Sequence, residues 1–99
     1  MKLWIDDVRP APEGYVWTKC VDAARVKIRI AENMGWKIEV IDLDHDAGEL
    51  AERGGDYIKL LDWLQETGRN YPIHIHSQNV VGRMNMEAIC RRNGWTILP

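Results

Sequence analysis

The chain has 99 residues, 45% of them hydrophobic and 28% charged, with 8 Gly, 4 Pro and 2 Cys. That is one small globular domain over residues 1–99, with no room for a second and a core that buries roughly two thirds of the surface its unfolded form exposes. Thirteen Lys and Arg against fifteen Asp and Glu give a net charge of -2, which excludes a general electrostatic attraction to a phosphate backbone, so any nucleic-acid contact is local.

The opening Met1-Lys2-Leu3-Trp4-Ile5-Asp6-Asp7 reaches two acids after three apolar residues. It therefore does not read as a signal peptide, no later run approaches membrane-spanning length, and the expected location is cytoplasmic, with no membrane partner. Cys20 and Cys90 stand in separate segments without a C-x-x-C spacing and are expected to be reduced, partly buried thiols.

Leu3-Trp4-Ile5 is a short apolar run stopped by Asp6-Asp7, the pattern of a buried strand with two acids at its carboxyl end. The segment from Arg9 to Gly14 holds two prolines and is a loop, after which Tyr15-Val16-Trp17 resumes a brief strand pattern. Thr18 is a predicted N-cap and Asp22 suits a first turn. Val21, Ala24, Ile28 and Ala31 then share one helical face until Asn33-Met34-Gly35 ends the segment. Ile38 to Leu43 is β-branched and apolar, a second strong strand, and it too runs into acids, Asp44-His45-Asp46. Ala47 to Gly55 carries three glycines and reads as a mobile loop over the acids.

Asp56 is the predicted cap of a helix with Tyr57, Leu60, Leu61 and Leu64 on one face, closing near Gly68. Pro72 to His76 is a further strand leading into Ser77-Gln78-Asn79. A last helix is expected from about Met84 to Asn93, bounded by Gly94, and Trp95 to Leu98 reads as a terminal strand. Met84 and Met86 are expected to be packing residues. Strands alternating with helices predict a parallel α/β sheet in three layers. Right-handed crossovers place all the strand ends on one rim, where such sheets bind ligands. Asp6-Asp7, Asp44-His45-Asp46 and His76-Ser77-x-Asn79 all fall on that rim.

Carboxylates gathered on one rim repel one another unless a cation neutralises them. Magnesium, an oxygen-seeking ion that keeps several waters, suits Asp6 and Asp7 with Asp44, and the imidazoles of His45 and His76 would also serve manganese, zinc or iron. Strand alternation puts Asp42 on the side of Asp44, and His74 on the side of His76, both further down the strand and therefore expected to support rather than react. Ser77 and Asn79 offer donors to a phosphoryl oxygen, and Arg9 or Arg83 a planar fork. His45 and His76 are placed to exchange protons. The Trp residues are expected to be core or helix-packing groups, with Trp4, beside the acids, an alternative candidate for the floor of a pocket.

Two acids after the first strand, Asp44 after the third and Ser77 after the fourth resemble the receiver domain of two-component response regulators. That resemblance implies a sheet order of 2-1-3-4-5, here without the family's first crossover helix and without a Lys after the last strand. The sequence resembles more closely the cyclic-phosphate processing receiver domains. Their pattern is met by Leu3-Trp4-Ile5-Asp6-Asp7-x-Arg9-x-x-Pro12-x-Gly14, by Leu43-Asp44-His45-Asp46-x-Gly48 and by His76-Ser77-x-Asn79-x-x-Gly82-x-x-Asn85-Met86. The resemblance implies action on the phosphate ends of nucleotides or RNA.

Combined with the rim, it gives the expectation of a metal-dependent phosphoesterase. Asp6, Asp7 and Asp44 would hold the metal, and His45 and His76 would exchange protons. Ser77, Asn79 and Arg9 would orient the phosphate, Asp46 and Asn85 would hold these groups in place, and Asp44 is also a candidate transient nucleophile. The alternatives are a non-catalytic receiver-like module that senses phosphate or metal and engages a protein partner, and phosphorelay signalling through Asp44. The crossover from Leu3-Trp4-Ile5 to Tyr15-Val16-Trp17 is short for parallel strands, so weak pairing is expected there.

Overall fold

The computed structural model describes all residues, Met1–Pro99. Four strands form one parallel sheet: β1 (Lys2–Ile5), β2 (Tyr15–Thr18), β3 (Val40–Leu43) and β4 (Ile73–Ile75), in the order β2-β1-β3-β4. Three helices, α1 (Val21–Asn33), α2 (Ile58–Glu66) and α3 (Val80–Asn93), follow β2, β3 and β4. The expected receiver-like α/β sheet is thus present, and its order runs as expected through the fourth strand. Trp95 to Leu98 is reduced to a single bridge, Ile97 beside Ile73, held by Ile73 N to Thr96 O at 2.9 Å and Leu98 N to Ile73 O at 2.7 Å. No helix is long and apolar enough to cross a membrane.

The layering differs from the expectation. Connections from β2 to β3, β3 to β4 and onward from β4 all step the same way across the sheet. A constant right-handed crossover therefore puts α1, α2 and α3 on one face, and α2 packs against both of its neighbours. Helices on the opposite face would require a helix in the β1–β2 connection, which steps back the other way, and that connection has none. The fold is consequently two-layered among these residues. Leu3, Ile5, Ile41, Leu43 and Ile73, every second strand residue, are fully buried against the helices with Val21, Ala24, Ile28, Ala31, Leu60, Leu61 and Leu64. The intervening residues, Lys2, Trp4, Tyr15, Trp17, Asp42 and His74, stand on the helix-free face.

β1 and β2 pair over their whole length, from Lys2 against Tyr15 to Ile5 against Thr18, more firmly than the short connection led us to expect. Residues 6–14 return the chain without a helix because local bonds fold them back. Asp6 Oδ1 accepts from the amides of Val8 and Arg9, each at 2.9 Å, the Trp4 indole donates to Arg9 O at 2.9 Å, and Tyr15 N donates to Pro12 O at 3.1 Å. Gly14, at φ 87°, makes the final turn that a residue with a Cβ resists.

The predicted helix faces are the ones buried, but three caps differ. α1 is capped by Cys20, whose Sγ accepts from Ala23 N at 3.4 Å, rather than by Thr18, which completes β2. Asp56 does not cap α2; its Oδ1 accepts from Ala47 N at 3.0 Å and pins the preceding segment. That segment, expected as a mobile loop, contains a 3-10 helix over Gly48–Glu52. It is tied to α1 by Asp22 N to Arg53 O at 3.1 Å. α3 begins four residues before Met84, because Asn79 Oδ1 accepts from Gly82 N at 2.9 Å, an N-cap that nucleates the extra turn. Cys20 and Cys90 are free and buried, as expected.

One ion pair joins α1 to the chain after α2. Arg69 grips Glu32 with two parallel bonds of 2.9 Å, and Tyr71 donates its hydroxyl to the same carboxylate. The Arg69 fork outweighs partial burial and, with Tyr71, holds the Glu32 carboxyl below its ordinary pKa. A lowered folded-state pKa adds stability that is present above the unfolded value near 4.5 and disappears as pH falls through the folded value. Glu32→Gln is expected to unfold about 1–2 kcal/mol more easily than the parent at pH 7. Urea titrations at several pH values should show that gap closing below about pH 4.

Candidate functional site

The site is assembled at the carboxyl ends of β1, β3 and β4, around His76. Its Nδ1 lies 2.6 Å from Asp42 Oδ1 and its Nε2 lies 2.9 Å from Asp6 Oδ2. Both acceptors are carboxylates, so the ring donates from both nitrogens. Burial works against a charge on this ring, but the bonds to Asp42 and Asp6 outweigh it and raise its pKa, favouring the imidazolium. Trp4 lies flat against the ring, with centroids 3.8 Å apart and planes 2° from parallel. Asp42 also takes His74 Nδ1 at 2.9 Å, so the residue expected to support from below braces two imidazoles at once.

Asp6 is almost completely buried, and burial alone would raise its pKa; the Arg9 and Val8 amides and His76 reverse this and lower it. Asp44 Oδ1 accepts from His45 N at 2.7 Å, and Asp44 Oδ2 makes no hydrogen bond. Ligand atoms of Asp6, Asp44 and His76 lie within 4.8 Å of one another. The two carboxylates fit a divalent cation such as magnesium through their oxygens, and manganese or zinc would take His76 Nε2 as well only once that nitrogen gives up its proton. Asp7 is not in this group. Its Oδ2 rests against Gly48, only 2.6 Å from where a Cβ would stand, and Gly48 at φ 57° leaves room for it. The Tyr57 phenol is fully buried nearby and donates to Lys19 O at 2.8 Å; burial first, then the charges of Asp7, Asp6 and Asp44, push its pKa up.

His45 forms the second half of the site. Its Nδ1 is 2.9 Å from Asp46 Oδ1, leaving Nε2 without a partner. This is the arrangement in which a carboxylate fixes the tautomer and frees the distal nitrogen as a base. The His45 bond comes first in lowering the Asp46 pKa, against partial burial, and Asn79 adds to it. Asn79 Nδ2 reaches Asp46 Oδ2 at 3.3 Å while its oxygen caps α3. Ser77 is nearly buried, its Oγ accepting from Asn79 N at 3.1 Å. Arg9 donates from Nη1 to His76 O at 3.2 Å, leaving most of its exposed guanidinium at the rim. Arg83 reaches Ser77 O at 3.5 Å.

The rim therefore gathers Asp6, Asp44, His45, His76, Ser77, Asn79 and Arg9, with Asp46 in contact with His45 and Asn79. Asn85 is exposed on α3 and makes no side-chain hydrogen bond to these groups, so its expected bracing is not seen. The double pairing of Asp42 and the buried phenol of Tyr57 were not read as parts of the site. For Asp42 the strand alternation carried the signal; for Tyr57 nothing did. The approach of α3 is set by Gly82, where a Cβ would lie 2.5–2.8 Å from three atoms of the His45 ring. Gly82→Ala gains about 1 kcal/mol in helix propensity but forces the ring aside at an overpacking cost of about 1–3 kcal/mol. We expect lower stability in urea and displaced His45 ring signals by NMR, with His74 signals unmoved; a stabilised variant with His45 in place would contradict this packing.

No curated protein and no solved structure matches the chain. Residues 1–92, which contain every group of the rim, match the cyclic-phosphate processing receiver domain, and the chain belongs to that family.

Proposed function

We propose that this domain is a metal-dependent phosphoesterase that opens cyclic phosphates or removes terminal phosphates at the ends of nucleotides or RNA. The observation that carries this reading is the meeting of Asp6, Asp44 and His76 within 4.8 Å, beside the Ser77–Asn79 turn that opens α3. A phosphate would be repelled by these carboxylates unless a cation stood between them. Asp6 and Asp44 would hold a divalent ion, which would supply the screening and Lewis-acid polarisation of a phosphoryl oxygen.

The chain's own groups divide the work. Ser77 accepts from the Asn79 amide and keeps its hydroxyl proton for a phosphoryl oxygen, and the Arg9 guanidinium adds charged donors at the rim. His45, oriented through Nδ1 by Asp46, takes a proton from the attacking water at Nε2. Water oxygen then bonds to phosphorus and the ester P–O bond breaks. His76 carries the nearest acidic proton, on Nε2, for the departing alkoxide. Asp44 as a transient nucleophile is a variant of the same scheme.

Hydrolysis of 2′,3′-cyclic nucleotides followed by phosphorus NMR is expected to require added magnesium or manganese and to stop with a chelator. His45→Ala should slow it about a hundred-fold, and Asp44→Asn should abolish it. Absence of turnover with every metal and every cyclic substrate would remove the reading and leave the phosphate- or metal-sensing module, in which the same ligands shift thermal stability without being consumed.

A further inference from the structure

The helix-free face of the sheet carries an aromatic edge that the phosphate chemistry does not use. Parallel register places Tyr15 beside Lys2 and Trp17 beside Trp4. Trp4 is occupied by His76, and Tyr15 meets Trp4 edge-on, at 6.0 Å. Trp17, on the outer strand β2, is 36% exposed, yet its ring is not loose: Nε1 donates to the backbone oxygen of Asp6 at 2.8 Å. An exposed indole is thereby fixed to the backbone of a residue of the candidate metal group. Cations gather around it in a chain whose net charge is -2. Lys19 holds its ammonium 4.5 Å over the Trp17 ring and Lys2 lies 5.6 Å over Tyr15, while Arg9 is held at the rim by its bond to His76 O.

The geometry points to Trp17, with Tyr15 beside it, as the seat of a nucleobase whose own phosphate lies at Asp44 and Ser77. The inference rests on the reading that this rim handles a nucleotide phosphate, and it names how the rest of the nucleotide is held. Register aligns Trp17 with Trp4 and Trp4 with Asp42, so Asp44, two residues further on, lies two strand spacings across the sheet from Trp17 and about 7 Å further along it, roughly 12 Å away in all, a span on the scale of one nucleotide. An open sheet face with aromatic side chains is a platform on which bases stack, whatever their identity, because every base offers a π face. Lys19 is exposed and flexible. A base displaces its ammonium from the ring, and the charge then serves the adjoining phosphate backbone.

The test compares a 2′,3′-cyclic nucleotide with glycerol 1,2-cyclic phosphate, which has the same five-membered phosphate ring and no base. The parent protein should show a KM for the nucleotide about ten-fold lower. Trp17→Ala should erase that preference as a ratio, and Trp17→Phe should keep most of it. A second readout needs neither turnover nor a folded variant: the Trp17 indole N–H signal of nitrogen-labelled protein should move with the nucleotide and not with the glycerol compound.

Equal KM values with an unmoved Trp17 signal would overturn the base seat while leaving the phosphoesterase reading standing. Movement of the signal without hydrolysis would support the seat and remove the phosphoesterase. No hydrolysis and no movement would remove both.

Discussion

Asp42 and Asp6 come from neighbouring strands and close on opposite nitrogens of one imidazole, that of His76 on a third. Everything at the rim depends on this three-strand clamp. Each carboxylate alone would be costly to bury as an anion, and the ring alone costly to bury as a cation. Together they form a hydrogen-bonded set in which every donor has an acceptor. Asp6 takes two further amide donors from the chain just after it, so the same side chain that anchors His76 also bends the β1–β2 connection. The clamp thus fixes where Asp6 stands relative to Asp44, and with it the geometry of any cation site.

The second constraint is topological. Omitting a helix between β1 and β2 leaves the three remaining helices on one side of the sheet, because right-handed crossovers in a constant direction allow no other placement. The hydrophobic core is correspondingly one-sided. On the other side the strand residues are Trp4, Tyr15, Trp17, Asp42 and His74, aromatic or polar groups among which the Trp4 and Trp17 indoles donate to rim backbone oxygens and Asp42 is met by imidazoles. The His76 clamp rises from this face, whereas Ser77, one residue on, turns to the helix side and is buried. The rim is where the two faces meet. This explains why one site contains both a nearly buried hydroxyl and an exposed guanidinium.

Membership of the cyclic-phosphate processing receiver family agrees with this frame: acids after the first and third strands, and a hydroxyl after the fourth. The bonds from Asp42 and Asp6 raise the pKa of His76 and so favour positive charge among the acids, supplied from the helix-free sheet face.

The residues by themselves determined a good deal. The helical faces of Val21, Ala24, Ile28 and Ala31 and of Tyr57, Leu60, Leu61 and Leu64 follow from periodicity, since an amphipathic stripe has only one way to meet a core. The convergence of Asp6, Asp44, His76 and Ser77 follows from parallel strands ending together, and the alternation of Asp42 with Asp44 from the two-residue pleat. Caps were harder to read. Thr18, Asp56 and Asn79 all have side chains able to cap, and which one does so is settled by where the chain must turn, not by propensity. Only the folded chain decided that Asp42 serves two imidazoles, that Gly82 must lack a side chain for His45 to fit, that Asp7 rests against Gly48, and that one sheet face is left without helices. Each of these joins residues far apart in sequence at distances of a few ångströms. Local pattern carries information along the chain about which face a residue takes, but not about what lies across from it.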